Sequence, residues 1–318
     1  MGQTFDDAPP LTLTDGIQAT HRSVVGNRLR LSLDHGLADA VIGEPGMVSP
    51  ALVWDVSIGQ STYVTQNVRA NLFYRGLFFR RFPQVGVTLT TVTTVEGLRE
   101  TRRKPGRPPT GQAALHITTT DQHQRVVLDY WRCAMIPLSS EDASIDRADD
   151  LNQIGRQPRP DQLAAGVEAW NLQAFRNRVP GRHFDALAVG DSWRISGRDL
   201  VSSAPELARL TGNLASVHHD AAAAGGRRLV YGGHTIGLAF HQATRALPAM
   251  VTVAGWEGCD HTGPVHEGDT LGSLLTVTGL HPLSAGGGLV DLRSEVDARD
   301  PDGSTRPVLD WRFTAVLA

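Results

Sequence analysis

The sequence predicts an α+β protein made of two copies of one module, each an antiparallel sheet curled around a central helix. Three observations lead there. The first is internal repetition. "GVTLTTVTTVEGL" at Gly86–Leu98 recurs as "GDTLGSLLTVTGL" at Gly268–Leu280, "VLDYW" at Val127–Trp131 recurs as "VLDW" at Val308–Trp311, and Gly26-Asn27 recurs as Gly212-Asn213. The offsets are 182, 181 and 186 residues, and a period this long means a duplicated domain, not a solenoid. The second observation is order. In each copy helical patterns come first and strand patterns last, whereas an α/β chain would alternate them. The third is one helix whose apolar residues Ile236, Ala239, Phe240, Ala243 and Leu247 share a face. Burying each large side chain gains roughly 1.5–3 kcal/mol, so a sheet must cover that face.

The repeat divides the chain into residues 1–138, a linker at 139–166 and residues 167–318. The linker is charged and dotted with proline, with some helix expected near its end. In the first copy Ser49-Pro50 opens a helix, serine as cap and proline in the first turn. Strands follow at Thr88–Val95, Ala113–Thr120 and Val126–Met135. In the second copy Ser203-Ala-Pro-Glu206 reads as a capping box ahead of "ELARLTG", which Gly212 closes. "DAAAAGG" reads as a small helix stopped by Gly225-Gly226, and the apolar-faced helix comes next. The last strands are Leu271–Thr278, Leu289–Val296 and Val308–Val316, the final pair joined by a turn at Asp302-Gly303.

Composition narrows the function. A net charge of −3 supplies no field that would draw in nucleic acid or an anionic membrane. The one basic run, Arg99–Arg107, reads as a solvated loop. Two cysteines are too few for a disulfide framework and suit a reducing compartment. No apolar run is long enough to span a bilayer, and "MGQTFDDAPP" has no signal-peptide pattern. The expectation is a soluble cytoplasmic protein.

The densest polar stretch is "TGNLASVHHD", Thr211–Asp220. It is either a capped turn or a reaction site. A metal site is disfavoured, because adjacent His218 and His219 rarely face one ion and no His-x3-His or Cys-x2-Cys pair completes a ligand set. In the first copy the same register gives Asn27, Ser32 and Asp34 for Asn213, His218 and Asp220. The glycine, the amide and the aspartate are therefore explained by the turn itself. The imidazole is not.

"FDALAVGDSWRISGRDLVSSAPELARLTGNLASVHHD" followed by "LVYGGHTIGLA" resembles the MaoC-like, (R)-specific enoyl-CoA hydratases of the hot-dog fold. "VTQNVRANLFYRGLFFRRFPQVGVTL" and "VVLDYWRCAMIPL" in the first half are similar to the double hot-dog mesaconyl-CoA hydratases, or β-methylmalyl-CoA dehydratases. The usual family pattern is G-D-x-N-P-x-H. Here Asn213 replaces its Asp, Ala215-Ser216 replace its Asn-Pro, and His218 keeps its His.

The resemblance implies a double hot-dog hydratase/dehydratase acting reversibly on an acyl-CoA thioester, with mesaconyl-CoA-like substrates favoured. Coenzyme A would be part of the substrate and no other cofactor is implied. A homodimer is compatible with it. His218 would be the acid–base residue, since its free pKa lies near neutrality. Asn213 cannot ionise but can hold water, or it serves only as a helix C-cap. Asp220 would cap the next turn, and His219 would point away. The N–H of Gly233 would meet the thioester oxygen at a helix N-terminus, while Tyr231, Gly232 and His234 would line the acyl pocket. Arg227 and Arg228 lie nearby as solvated cations. Two rivals stay open: a dehydratase of carrier-protein-bound acyl groups, and a non-catalytic thioester-binding hot-dog.

Overall fold

The computed structural model describes residues 1–106 and 108–318. Arg107, the last residue of the basic run, lies outside the described residues. The strands are β1 (Thr4–Phe5), β2 (Leu11–Thr12), β3 (Ala70–Phe79), β4 (Thr88–Glu100), β5 (Thr110–Thr120), β6 (Val126–Pro137), β7 (Ser192–Arg194), β8 (Asp199–Leu200), β9 (Met250–His261), β10 (Thr270–Pro282), β11 (Gly288–Arg299) and β12 (Thr305–Leu317). The α-helices are α1 (Asp15–Val25), α2 (His35–Ile42), α3 (Pro50–Ser61), α4 (Pro160–Ala165), α5 (Leu172–Arg178), α6 (Ala204–Leu210) and α7 (Gly232–Ala246).

The two halves share one antiparallel sheet in the order β1-β4-β5-β6-β3-β9-β12-β11-β10-β7. The order reads as a mirror image about the β3–β9 seam, where Tyr74 pairs with Cys259 and Phe78 with Gly255. This is the double hot-dog fold, with each half's sheet continued into the other. β3 and β9 escape the sequence reading because they lack clean alternation. β9 is buried at nearly every position, and such strands read as continuous apolar runs.

The central helices α3 and α7 lie together inside the curl of the sheet. Every residue of α3 is buried, so it has no polar face for a periodicity search to detect. Trp54 of α3 is the hub. Its ring centroid stands 4.9 Å from Trp256, 5.6 Å from Phe240 and 6.0 Å from Trp311, which ties α3 to α7 and to β9 and β12. Aromatic pairs at such tilted separations add about 0.5–1.5 kcal/mol each beyond their area.

Three local expectations are corrected. Ser203 is no capping-box residue: it sits at φ +58°, makes no side-chain cap bond, and the free N–H of Ala204 is taken by Glu267 Oε1 at 2.9 Å. Ser49 gives no side-chain cap either, although Pro50 does occupy the first turn. "DAAAAGG" forms turns, not a helix, since Gly225 and Gly226 with positive φ close it before a second helical turn can start. Among the described residues no helix is long and apolar enough to cross a membrane.

The halves also exchange helix ends. The C-terminus of α6 rests on α3 where Gly59 faces the Thr211 carbonyl, and the C-terminus of α1 rests on α7 where Gly237 faces Val25. A Cβ at Gly59 would sit inside the Thr211 carbonyl oxygen. Gly→Ala inside an unobstructed helix normally stabilises by about 0.5–1 kcal/mol. At Gly59 the sign should invert. Gly59→Ala is expected to lose about 1–3 kcal/mol through overpacking, read as a lower urea midpoint with an unchanged slope.

Candidate active site

The polar stretch is a loop held at both ends. After α6, Gly212 turns the chain at φ +71°. Asn213 is buried, its backbone N–H donates to the Ala208 carbonyl at 2.8 Å, and its side-chain Oδ1 accepts from the Ala215 N–H at 3.0 Å. Oδ1 thus closes an Asx turn. The turn leads into one turn of 3-10 helix at Ser216–His218. Two bonds seat this loop on the other half: Leu214 N–H donates to Thr62 Oγ1 at 2.8 Å, and Ser216 N–H to the Gln66 carbonyl at 2.9 Å.

His218 is oriented through its far nitrogen. Its Nδ1 lies 3.0 Å from the Leu229 carbonyl. A carbonyl can only accept, so Nδ1 carries the proton and Nε2 presents a lone pair. Among the described residues Nε2 has no protein partner. Burial, partly opposed by the bond to Leu229, lowers the His218 pKa to about 4, so the ring is neutral near pH 7. His219 points away as expected, and its Nε2 donates to the Asn213 carbonyl at 2.7 Å. Asp220 caps the next turn, accepting from the Ala222 N–H at 2.8 Å.

A cavity of about 320 Å³ opens at this loop. Asn213, His218, Tyr231 and Gly232 line it together. Its opposite wall comes from the first half: Ile58 and Thr62 of α3 and its end, Asn71 and Tyr74 of β3, and Arg132 of β6. His261, at the end of β9, completes the wall, and a Cβ on Gly232 would come within 2.7 Å of its Nε2.

Two expected residues stand elsewhere. His234 does not line the cavity. It is fully buried on α7 with neither ring nitrogen bonded, and burial pushes its pKa down to about 4. The register of α7 explains this, because two residues on from Gly232 the helix faces its core. Gly233 is also off the cavity wall. A Cβ there would strike the Asp55 carboxylate and the Tyr231 ring, so glycine is required by packing between α7 and α3. Asp55 itself is buried and takes a 2.9 Å bond from His21 Nε2, while burial raises its pKa against that bond. Arg227 and Arg228 pair with Asp269 and Glu267, away from the cavity lining.

Arg132, His261, Tyr74 and Asn71 were missed. They come from strands whose inward faces are set by pairing across the sheet, which local periodicity does not reveal. The sequence repeat gives no help at Arg132, since matching Trp131 to Trp311 sets it against Arg312, whereas strand pairing sets Arg132, opposite Tyr74, against Phe313, opposite Trp256.

No family model matches the chain. RV0216, a conserved hypothetical protein from Mycobacterium tuberculosis described as having a double hotdog fold, is 54% identical with a TM-score of 0.92, and the match covers 100% of this chain and 96% of that one. A protein of Chloroflexus aurantiacus named beta-methylmalyl-CoA dehydratase is 27% identical over 345 residues, covering 100% of this chain and 95% of the relative. A protein of Cereibacter sphaeroides named mesaconyl-CoA hydratase is 27% identical over 288 residues, covering 85% and 79%.

One buried and two part-buried histidines link stability to pH. His218, His234 and His261 each fall to about 4 through burial, against about 6.5 in an unfolded chain. Between those limits the unfolded state binds more protons. Stability is therefore full above about pH 6.5 and is lost as pH falls towards 4, by up to about 1.4 kcal/mol per pH unit for fully buried His234 and by less for His218 and His261, which are only part-buried. Urea unfolding from pH 7 to pH 4.5 should show this slope. His234→Leu should flatten it by the share of one group; an unchanged slope would place the proton uptake elsewhere.

Proposed function

We propose that the chain, a double hot-dog protein by its likeness to RV0216, is a MaoC-like hydro-lyase, adding water reversibly across an α,β-unsaturated acyl-CoA thioester. The observation that carries this reading is His218: its Nδ1 is tied to the Leu229 carbonyl while Nε2 stays unpartnered at a cavity wall shared with Asn213 and Gly232. Imidazole in that tautomer is set up as a base.

In hydration, Nε2 takes a proton from water as the water oxygen bonds to the β-carbon. The π electrons move to the α-carbon and onto the thioester oxygen. The imidazolium then returns its proton to the α-carbon, so atoms and charge balance without another group. Asn213 is suited to hold the water. Its Oδ1 is engaged by Ala215, and its Nδ2 has no partner among the described residues, leaving an N–H to donate. The growing enolate charge falls to the N-terminal turn of α7, where Gly232 lines the cavity and Gly233 follows it. N–H groups at a helix start lack intrahelical partners and carry the positive end of its dipole.

Two relatives named for mesaconyl-CoA and β-methylmalyl-CoA support a short branched dicarboxylic acyl group as the substrate. A cavity of about 320 Å³ is at the small end of ligand sites, which run from about 300 to 1,000 Å³, and this favours a short acyl chain.

The test is loss of enoyl-thioester absorbance with mesaconyl-CoA and a panel of enoyl-CoA esters. His218→Ala should lower kcat/KM by at least about 10²–10⁴-fold, the usual worth of a positioned acid–base group. Asn213→Ala should lower it less, since it removes one hydrogen bond and no proton carrier. Saturable CoA-ester binding with no turnover of any enoyl thioester would leave a binding protein instead. The acid limb of kcat/KM reports the base in the free enzyme, and it should lie well below pH 6.5, towards the value of about 4 for His218.

A further inference from the structure

The cavity holds a cation that no carboxylate among the described residues neutralises. Arg132 is 2% exposed, on the inward face of β6 beside Tyr74 of β3. Its Nη2 donates to the Ser61 carbonyl at 2.9 Å and to Thr65 Oγ1 at 2.6 Å. Its Nε is buried with no acceptor, and among the described residues no carboxylate forms an ion pair with it. Two of five guanidinium N–H donors are thus used. Both partners it has are neutral.

Such an arrangement is costly. A buried charge is ordinarily paired, because its lost hydration is large and a neutral partner restores only part of it. The second half shows what the fold itself requires there. The equivalent position by strand pairing, opposite Trp256 of β9 as Arg132 is opposite Tyr74 of β3, is Phe313 at 2% exposure. The sheet packs well with an aromatic ring, so the guanidinium is not demanded by the architecture. The neighbouring phenol points the same way. Tyr74 lines the cavity, and its hydroxyl has no hydrogen-bond partner among the described residues.

We propose that Arg132 is a specificity-determining residue that binds a carboxylate on the acyl chain, with the Tyr74 hydroxyl as a second donor to the same group. The substrate class is then an enoyl-CoA whose acyl group bears a free carboxylate. This rests on the hydro-lyase reading for its reaction but not for its ligand chemistry. A planar guanidinium matches a carboxylate in geometry and charge. With the guanidinium only 2% exposed, a neutral chain end would leave it unpaired, so neutral acyl chains are selected against as well as charged ones being held.

The test compares fumaryl-CoA with crotonyl-CoA, which differ by a carboxylate in place of a methyl group. Wild-type protein is expected to favour fumaryl-CoA in kcat/KM by roughly 10–100-fold, the usual range for a charge-assisted hydrogen bond. Arg132→Met should bring that ratio near one, and Arg132→Lys should give an intermediate ratio, keeping the charge but losing the fork. Should Arg132→Met fail to fold through loss of the Ser61 and Thr65 bonds, the lysine variant and a binding measurement decide. In the latter, calorimetry on His218→Ala protein should show succinyl-CoA binding more tightly than butyryl-CoA by a similar factor. Equal turnover of both enoyl esters by wild-type protein overturns the role of Arg132 and leaves the hydro-lyase reading intact. Turnover of neither ester, with succinyl-CoA still preferred in binding, sinks the hydro-lyase reading and upholds the carboxylate site. A preference that survives in folded Arg132→Met assigns the carboxylate to another group and overturns the proposal.

Discussion

The site depends on one close approach between the two halves. Gly59 on α3 lets the Thr211 carbonyl at the end of α6 come into direct contact with the helix surface. From that contact the chain runs straight into Asn213 and the loop that bears His218. Thr62 Oγ1 and the Gln66 carbonyl then take the N–H groups of Leu214 and Ser216. The loop therefore belongs to the second half by sequence and to the first half by hydrogen bonding. The cavity it borders is likewise walled by both halves, with β3 and β6 of the first half facing it. Trp54 of α3, packed on Phe240 of α7 and on Trp256 and Trp311 of the second half's sheet, fixes the helix that receives this approach.

The duplicate loop isolates what the turn needs from what the proposed chemistry needs. At Gly26–Asp34, Asn27 Oδ1 accepts from the Leu29 N–H at 2.9 Å, as Asn213 Oδ1 does from Ala215, and Asp34 accepts from the Leu37 N–H at 3.0 Å as a helix cap. The turn is conserved in form. Its polar groups satisfy one another, however: Asn27 Nδ2 donates to Ser32 Oγ at 2.7 Å, and Ser32 Oγ donates to the Leu29 carbonyl at 2.9 Å. With His218 in place of Ser32 that internal closure is lost. The imidazole reaches Leu229 instead, which frees the Asn213 amide and leaves Nε2 open. One substitution thus turns a closed turn into one with two unused polar groups at a cavity.

Repetition made the architecture legible, because three matched segments outweigh any single ambiguous element. The pattern of α7 was legible too, since only one of its faces is apolar. What stayed hidden was determined between segments. Ser203 looked like a cap, but it sits at φ +58° with no cap bond, and the start of α6 is held instead by Glu267, which takes the Ala204 N–H from 63 residues away in sequence. His234 looked like a pocket residue because it follows Tyr231-Gly232-Gly233, yet at 100° per residue the helix has already turned it into the core. Arg132 and His261 gave no local sign, since a strand's inward face is known only once its partners are.

The basicity of His218 bears on how the proposed reaction would be driven. A ring with a pKa of about 4 is a weak base, so removing a proton from water is harder than for a free imidazole. The same shift makes its protonated form a stronger acid, which favours delivery to the α-carbon. Asn213 cannot share either step because an amide does not ionise. The deficit in the first step must then be met where negative charge collects, on the thioester oxygen. Preorganised donors in a water-poor site are worth far more there than in water. The demand falls on the first turn of α7, and it explains why a glycine borders the cavity at that point: a side chain at Gly232 would press on His261 and hold the substrate away from the backbone.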